Sequence, residues 1–333
     1  MEYYGMDVHK RYSVFTCMDD KGQVVRRGRV ANNKEELCQV VAPSGGAAKV
    51  VLEATSNWGY IFDVLEPWVE EVVMAHPSRV KAISSAKVKT DRIDADILAH
   101  LLRADLIPAA YAAPPQVRDQ REWLRSRTSV VRMAAQLKNR IHAVLARSGV
   151  NAPVSDVFGK GGRAWLGQVD LRSMRRDIVE RYLCLLDALG EDIRETTAQV
   201  RRQAQDDPRA RLLMTIPGIG PLTSLMFLAE VGDVHRFPDA RHLVSYAGLA
   251  PRVRASGGKV HLGHISKQGS PWLRWVFTEA AVTAGRIGCL GEFYRRVQRR
   301  AGRQAAIIAT ARKLLVIAYH VAKKGQPYRE GTG

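Results

Sequence analysis

The segment Lys89-Thr90-Asp91-Arg92-Ile93-Asp94-Ala95-Asp96 begins a predicted helix that continues as Ile97-Leu98-Ala99-His100-Leu101-Leu102. Asp91 and Asp94 are three residues apart, a spacing that puts two side chains on one face of a helix. Two carboxylates held so close repel each other unless a cation lies between them, most simply a divalent metal ion. Asp96 lies two residues beyond Asp94, so we expect it to face solvent on another side. The segment predicts a metal-binding helix.

Two more acidic residues lie in apolar strands upstream of this helix. Asp7 lies in a predicted strand over residues 1–8, and Glu53 ends a predicted strand that begins at residue 48. Between these strands, Tyr12–Met18 and Val24–Val30 flank the turn at residues 19–22, a pattern typical of a hairpin. Acidic residues on two strands followed by an acidic pair on a helix are the layout of ribonuclease-H-like nucleases.

The chemistry of such nucleases explains why carboxylates are needed. In-line attack on a phosphodiester uses two Mg²⁺ ions about 3.5–4 Å apart, held by hard oxygen ligands. Asp7, Glu53, Asp91 and Asp94 would suffice. The alternative for each residue alone is a solvated surface charge, and Asp91 has a second alternative as a residue that favours the helix macrodipole and caps free amides.

The charge of the chain is strongly asymmetric. Its 333 residues have a net charge of +18, yet residues 1–105 carry 14 Lys and Arg against 15 Asp and Glu, a balance of −1. Residues 106–333 carry 37 against 18, a balance of +19. A near-neutral domain that carries the acidic site, followed by a strongly basic segment, is expected when one part of a protein cuts a nucleic-acid backbone and another part binds its phosphates. The alternative is a merely soluble basic surface.

Cysteine usage and hydropathy indicate a cytoplasmic protein, which we expect to be bacterial and associated with the nucleoid. The four cysteines, Cys17, Cys38, Cys184 and Cys289, show no Cys-x-x-Cys spacing, so we expect free thiols rather than a zinc site or disulfides. The most apolar run, residues 305–318, is interrupted by two basic residues, and the N-terminus lacks the form of a signal peptide. We therefore expect no membrane span.

Three segments are predicted. Residues 1–112 alternate strands and helices and are expected to form an α/β domain. Helices are expected over 32–41, with Asn32 or Asn33 as the cap, and over 60–69, and a strand is expected over 71–75; residues 109–115 have linker composition. Residues 113–206 are expected to form a helical arm of two long amphipathic helices in antiparallel register, separated by a Gly-rich break at Gly159–Gly162. The arm is either a coiled coil, folded on itself or paired with another subunit, or part of an ordinary bundle.

The expected arm seams consist of apolar residues at heptad or helical spacing: Trp123, Val130, Ala134, Leu137, Ile141 and Val144 in the first helix, and Ile178, Tyr182, Leu185, Leu189, Ile193 and Val200 in the second.

Residues 207–333 are expected to be mainly α-helical. The stretch 212–223 contains Ile216-Pro217-Gly218-Ile219-Gly220-Pro221, a helix-hairpin-helix pattern that offers backbone amides and a helix N-terminus to a phosphate. Gly218 and Gly220 would let the backbone approach the ligand closely. The alternative is a tight interhelical turn with no ligand. Closing helices are expected around 273–281 and 305–323.

Two basic loops that contain serine and are flanked by glycine follow this stretch. The first is Arg252-Val253-Arg254-Ala255-Ser256-Gly257-Gly258-Lys259, and the second is His264-Ile265-Ser266-Lys267-Gln268-Gly269-Ser270. The loops could bind phosphate through Arg252, Arg254, Lys259 and Lys267. They could also present a nucleophile, because Gly257 and Gly258 would leave Ser256 on an exposed bend amid cations.

In combination, these motifs resemble the insertion-sequence 110 family of transposases, also called bridge-RNA-guided or DEDD recombinases. The matching pieces occur in the family's order across nearly the whole chain: Gly5-Met-Asp7-Val-His9-Lys10, Leu52-Glu53-Ala-Thr55, Lys89-Thr-Asp91-Arg-Ile-Asp94-Ala95, Ile216-Pro-Gly-Ile-Gly220-Pro221, Phe237-Pro238, Tyr246-Ala-Gly248-Leu-Ala-Pro251, Ser256-Gly-Gly-Lys259 and Gly263-His-Ile-Ser-Lys267.

The resemblance implies a ribonuclease-H-like, resolvase-like N-terminal domain, a coiled-coil arm and a C-terminal transposase domain with a catalytic serine. By motif, Asp7, Glu53, Asp91 and Asp94 would bind Mg²⁺, with Mn²⁺ as an alternative. Ser256, favoured over Ser266, would form a covalent phosphoserine link to DNA. The implied partners are the DNA of the element ends and target, a noncoding guide RNA, and further copies of the chain in a dimer or tetramer.

Two other functions are compatible with the residues. In a metal-only structure-specific nuclease of the resolvase type, Ser256 would bind phosphate without attacking it. In a nonenzymatic nucleic-acid-binding protein built on a decayed nuclease domain, loss of Asp7 or Asp94 would change nothing.

Overall fold

The computed structural model describes residues 1–55, 57–83, 90–256 and 259–330, without the side chains of residues 78, 254–256 and 259–262. Lys89 and Gly257 lie outside the described residues. The chain divides into two compact units, Met1–Pro115 and Gln116–Gly333. The arm and the C-terminal segment thus fall in one unit, and their boundary at residue 206 stays a prediction.

The first unit is built on a mixed five-stranded sheet in the order β3-β2-β1-β4-β5. Its strands are β1 (Glu2–Val8), β2 (Tyr12–Met18), β3 (Val24–Ala31), β4 (Ala48–Glu53) and β5 (Glu71–Ala75). β1 is antiparallel to β2 and parallel to β4, so it lies at the centre of the sheet. The strands and the hairpin are those expected, because alternation and turn chemistry are local signals.

Helices cover both faces of this sheet, in agreement with the predicted α/β class. They are α1 (Lys34–Val41), α2 (Trp58–Leu65), α3 (Pro77–Ile83) and α4 (Asp91–Arg103). On one face, Leu37 of α1 and Ile61 of α2 pack against Met6 and Leu52. On the other face, Leu98 of α4 packs against Val51. The arrangement is compatible with a ribonuclease-H-like domain.

Local details of the first unit differ little from expectation. The Asn33 side chain accepts a hydrogen bond from the Glu36 backbone amide, so it is the cap expected for α1. The expected linker at 109–115 begins as part of the sheet instead: Ala109 bridges Ala75, and the Ala110 amide donates to the Met74 carbonyl. α3 was not expected from the sequence.

Gly5 at the centre of β1 allows α4 to lie directly on the sheet. A Cβ atom at this position would lie 2.2 Å from the Ala95 carbonyl oxygen and 2.4 Å from the Ala99 amide nitrogen. Both obstacles are helix backbone, which cannot rotate away as a side chain can. The glycine therefore sets the separation of α4 and β1, and with it the place where the N-terminus of α4 meets the end of β1.

We expect Gly5→Ala to lower the free energy of unfolding by about 3 kcal/mol, at the upper end for an overpacked core. The reason is that α4 must move away from β1 to admit the methyl group. Urea unfolding followed by circular dichroism measures the effect. The control is Gly190→Ala in a helix of the second unit, where an added Cβ meets nothing within 4 Å and we expect a gain of about 1 kcal/mol. Equal stability of Gly5→Ala and wild type would contradict the tight approach.

The second unit is mainly helical. Its helices are α5 (Pro115–Arg147), which begins at the last residue of the first unit, α6 (Lys160–Gln168), α7 (Ser173–Asp206), α8 (Pro208–Leu213), α9 (Pro221–Val231), α10 (Ala240–Tyr246), α11 (Pro271–Ala284) and α12 (Gly288–Lys324). A two-stranded antiparallel sheet joins α10 to α11 and consists of β6 (Pro251–Ser256) and β7 (Lys259–Ile265). The main core lies where α8–α12 meet, around Phe227, Phe277 and Leu314.

The long helices α5 and α7 run antiparallel. The Arg175 side chain donates to the Arg147 carbonyl, and the Arg127 side chain donates to Thr197 Oγ1, so the start of α7 lies beside the end of α5. Ile141 at the end of α5 and Val179 near the start of α7 are buried with Leu166 of α6 in one cluster. Two long antiparallel helices were expected; their coiled-coil character stays a prediction.

Near the start of α7 the buried face differs from the expected seam by one residue, whereas the expected Val200 is buried near the end of the helix. Val179 and Leu186 are buried, whereas Ile178 and Leu185 are 40% and 54% exposed. On α5 the expected Ala134, Ile141 and Val144 are buried. Adjacent helical residues differ by about 100° in direction, so the position of the neighbouring helices decides which of two apolar rows is covered.

Two segments expected to be irregular are regular. Gly159–Gly162 was expected to be a break, but Gly159 is the N-cap of α6 and a Cβ on Gly162 would lie 2.3 Å from the Asp156 carbonyl. The expected basic loops around Ser256 and Ser266 are largely the β6–β7 hairpin. Pairing of Val253 with Leu262 supplies backbone partners that a single segment cannot show.

The longest helix, α12, is long and apolar enough in part to meet the criterion for a membrane span. Its apolar residues Leu314, Leu315 and Ala318 are fully buried in the core of the second unit. The helix is also interrupted at Gly302, which has φ 82° and ψ 170°. These are features of a core helix.

Candidate active site

The N-terminus of α4 lies at the end of β1, where His9 lies close to two carboxylates. Thr90 caps the helix by accepting from the Ile93 amide, so the cap is not Asp91. The His9 Nε2 atom lies 2.9 Å from Asp91 Oδ2 and 3.3 Å from Asp7 Oδ2. The side chain of Asp7 is only 14% exposed and that of Asp91 is 49% exposed. A strand residue and a helix residue 84 positions apart thus share one site.

Glu53 lies at the same edge of the sheet. In the parallel β1–β4 pair, Met6 is opposite Leu52, so the next residues, Asp7 and Glu53, follow side by side. Successive strand residues point to opposite faces. Asp7 therefore shares the face of Gly5, and Glu53 shares the face of Val51, which is the face that α4 covers. Both carboxylates are directed to the side of the sheet that carries Asp91.

Asp94 is half-buried one turn further along α4, and its backbone amide donates to the Thr90 carbonyl. Asp96, expected to be solvated, is bound to the sheet instead. Its carboxylate accepts from Thr16 Oγ1 at 2.6 Å and from Arg27 Nε and Nη2 at 3.0 and 2.8 Å. The correction follows from the docking of α4, because a helix lying across the central strands turns a second face toward β2 and β3.

The donor set fits a divalent cation. His9 Nε2 is buried, and although it lies close to two carboxylates, its geometry gives it no hydrogen bond within the described part of the chain. One ligand atom from each of Asp7, His9 and Asp91 lies within 4.8 Å of the others. Carboxylate oxygens suit Mg²⁺ and Mn²⁺, and an imidazole nitrogen is compatible with the softer of these ions. The site can hold a divalent metal ion; which ion it prefers stays a prediction.

The role of His9 was not expected from the sequence. The available signal was alternation: His9 lies two residues after Asp7, so continuation of the strand direction puts both side chains on one face. A His–Asp pair at that spacing is not a metal-binding motif by itself. The third candidate ligand, Asp91, comes from a helix distant in the sequence.

The β6–β7 hairpin carries the candidate serine at its tip. Ser256 pairs with Lys259 as the last pair before the two-residue connection, and Pro251 pairs with Ile265 at the base. The side chains of Arg254, Ser256 and Lys259 are outside the description, as is Gly257, so their predicted roles stay predictions.

Ser266 lies at the opposite end of the hairpin. Its amide donates to the Ala250 carbonyl, and its Oγ accepts from the Gln268 amide at 3.4 Å, which is a local turn contact. The exposed Arg252 donates to the Ser266 carbonyl, and Lys267 adopts a left-handed backbone with φ 56°. At about 3.3 Å per strand residue, roughly 17 Å of strand separates the base from the tip. The two candidate serines therefore do not share a site.

A buried carboxylate lies beneath the base of this hairpin. Glu230 of α9 is 1% exposed, and its Oε1 accepts from Arg125 Nε and Nη2 at 2.9 and 2.7 Å. Its Oε2 accepts from Ser270 Oγ at 2.9 Å, and its backbone carbonyl accepts from the Tyr246 hydroxyl. Ser270 caps α11. Glu230 thus ties α5, α9, α10 and α11 together where the hairpin is anchored.

The predicted helix-hairpin-helix consists of α8, a turn and α9. Gly218 has φ 85°, and a Cβ there would lie 2.6 Å from the Ala280 carbonyl, so this glycine permits close packing against α11. A Cβ on Gly220, the N-cap of α9, would meet nothing within 4 Å. Of the two, Gly220 has the space a ligand needs; phosphate binding by either stays a prediction.

Two segments of the chain match models of known protein families. Residues 4–149 match the DEDD transposase family of IS110, and residues 210–295 match the family described as "Transposase IS116/IS110/IS902 family". The first match contains all four predicted carboxylates, and the second contains the hairpin.

Individual relatives align over most of the chain. It is 26% identical over 329 residues to the "Transposase for insertion sequence element IS1328" of Yersinia enterocolitica, covering 96% of both chains. It is 24% identical to the "Transposase for insertion sequence element IS1111A" of Coxiella burnetii, over 98% of this chain and 91% of the relative. A "Pilin gene-inverting protein" of Moraxella bovis is 27% identical, over 84% and 81%. Two matching family models in sequence and transposase relatives of nearly equal length establish that this chain belongs to the IS110 family of DNA transposases.

Proposed function

We propose that this transposase cuts and rejoins DNA at the ends of an insertion sequence through a divalent metal site and a serine nucleophile. The observation that carries the proposal is the alignment of Asp7 with Glu53 at one sheet edge, with Asp91 and Asp7 both close to His9 Nε2. Asp7, Glu53, Asp91 and Asp94 would hold the metal. A bound divalent ion supplies Lewis-acid stabilisation of charge on the phosphate oxygens.

The serine step is a transesterification, in which a DNA phosphodiester is exchanged for a phosphoserine ester. The Ser256 hydroxyl loses its proton, its Oγ forms a bond to phosphorus, and the bond from phosphorus to the leaving strand oxygen breaks. The leaving oxygen takes up a proton. Because the phosphoserine ester conserves the bond energy, a second strand end can reverse the step and rejoin DNA. The family's Ser-Gly motif, which Ser256 and Gly257 match in sequence, supports Ser256 as the attacking residue.

The proposed partners are those that membership of the family implies. The carboxylates belong to Met1–Pro115 and the serine to Gln116–Gly333. We propose that a dimer or tetramer assembles complete sites, that the arm of α5 and α7 acts as a coiled coil in that assembly, and that a noncoding guide RNA selects the DNA. The name of the pilin gene-inverting relative supports recombination at defined DNA sites.

The test is to trap the covalent intermediate. Protein, Mg²⁺, DNA carrying the element ends and the RNA transcribed beside the gene are incubated and resolved on a denaturing gel. We expect a protein–DNA adduct for wild type and Ser266→Ala, and loss of the adduct to background for Ser256→Ala. An adduct lost only in Ser266→Ala would make the assignment of the serine wrong. Cleavage without an adduct in any variant would favour a metal-only nuclease.

A further inference from the structure

A second positively charged site lies on the two limbs of α12, away from the β6–β7 hairpin in sequence. Arg295, Arg296 and Arg299 on the first limb and Lys313 on the second line a cavity of about 410 Å³ together with Phe293. We call this set the α12 basic pocket. We propose that the α12 basic pocket binds a backbone phosphate of duplex DNA. The proposal rests on the DNA-binding activity of the family and is independent of the serine chemistry.

The interruption at Gly302 builds this pocket. With φ 82° and ψ 170°, Gly302 turns the chain in a way that residues with a side chain rarely adopt. As a result Lys313, 20 residues beyond Phe293, places its Nζ 5.1 Å from the centroid of that ring. The Arg296 Cζ atom lies 5.6 Å from the same centroid. Cation–π contact with one ring therefore holds a cation from each limb at the cavity.

The charge of this pocket is predominantly positive. Its lining contains four cationic side chains and one carboxylate, Glu292. No ion pair joins any of the four cations to an acidic residue in the ranges that the structure describes, whereas Arg163 and Arg209 of the same unit are paired with Asp187 and Asp207. Like charges concentrated in a concave site raise the local positive potential and attract an anion.

The chemistry of the cations selects phosphate. The planar guanidinium group presents parallel N–H donors that match two phosphate oxygens, and an ammonium group adds a point charge. Arg300 and Arg303, both exposed, continue the positive surface beyond the cavity. A row that extends past one anion fits a strand with repeated phosphates better than a free phosphate ion. Only Phe293 and Arg295 of the site fall within the family match at 210–295, so the match does not assign it.

The test measures DNA affinity without divalent ions, so that the carboxylate site takes no part. A variant with Arg295→Gln, Arg296→Gln and Arg299→Gln is titrated with a fluorescent 30-base-pair duplex of an element end at several salt concentrations. We expect at least about 10-fold weaker binding, since one charge-assisted contact is that large. The slope of log affinity against log salt should fall by about 1 for each arginine that contacts phosphate.

The matched control replaces three arginines that are paired with acids, Arg163→Gln, Arg194→Gln and Arg209→Gln, and changes net charge equally. We expect its affinity and salt slope to stay near wild type. Equal losses in both variants would overturn the proposal, because net charge alone would then explain binding. An unchanged slope in the pocket variant, or a loss confined to single-stranded RNA of the same length, would overturn it as well. The adduct assay on the wild-type protein does not depend on these affinity measurements. Failure of the α12 basic pocket proposal can therefore be told apart from failure of the serine mechanism.

Discussion

Asp7→Asn is expected to reduce DNA strand cleavage by at least about 100-fold while the protein stays folded. Loss of a residue that only orients a metal ligand costs 10- to 100-fold, and a direct ligand should cost at least the upper value. Asparagine has the shape of aspartate but lacks the negative charge that draws a cation. Because Asp7 and Asp91 both approach His9, removal of one charge also relieves their mutual repulsion, so stability should be equal or higher.

Two measurements separate the loss of metal from the loss of fold. Isothermal titration with Mn²⁺ should show binding to wild type and weaker binding to Asp7→Asn, and thermal unfolding should show no decrease in Tm. The control is Asp105→Asn, an exposed acid just after α4 whose φ of 54° asparagine tolerates well. Full cleavage activity of Asp7→Asn would refute a catalytic role for this edge of the sheet.

Glu230→Ala is expected to lower the free energy of unfolding of the second unit by about 3 kcal/mol, the lower end of the range for breaking a buried ion pair, because the Arg125 side chain is 38% exposed. The substitution leaves Arg125 and Ser270 without the carboxylate that accepts from both. For a unit of this size the loss corresponds to a decrease in Tm of roughly 10 °C. Calorimetry of the whole chain measures it.

Glu191→Ala is the matched control, because Glu191 on α7 is 76% exposed and pairs with Arg194 at the surface. Its effect should not exceed about 0.5 kcal/mol. In a second variant, Arg125→Met with Glu230→Leu, apolar side chains replace both charges, and part of the loss should be recovered. If Glu230→Ala melts like wild type, the buried carboxylate does not hold the hairpin base.

The first unit could be predicted closely because its signals are local. The β2–β3 hairpin follows from alternation on both sides of the 19–22 turn, and Asn33 is a cap that needs only its own helix. The second unit was predicted less well. Which apolar row of α7 is covered, and that residues 251–265 pair as strands, depend on neighbours that a single segment does not reveal.

The candidate site, too, could be predicted only in part from the sequence. The residue types and spacing of Asp7, Glu53, Asp91 and Asp94 were sufficient to predict a carboxylate metal site, because hard cations require such ligands. The family of DNA transposases also follows from the order of motifs.

The tertiary structure alone decided which of these side chains meet. Gly5 lets α4 approach β1 at backbone distance, which places Asp91 beside His9 and Asp7 and turns Asp96 toward Arg27. The physical reason is that side-chain chemistry is a property of each residue, whereas a contact across 80 residues exists only after two packed surfaces have set the distance between backbones.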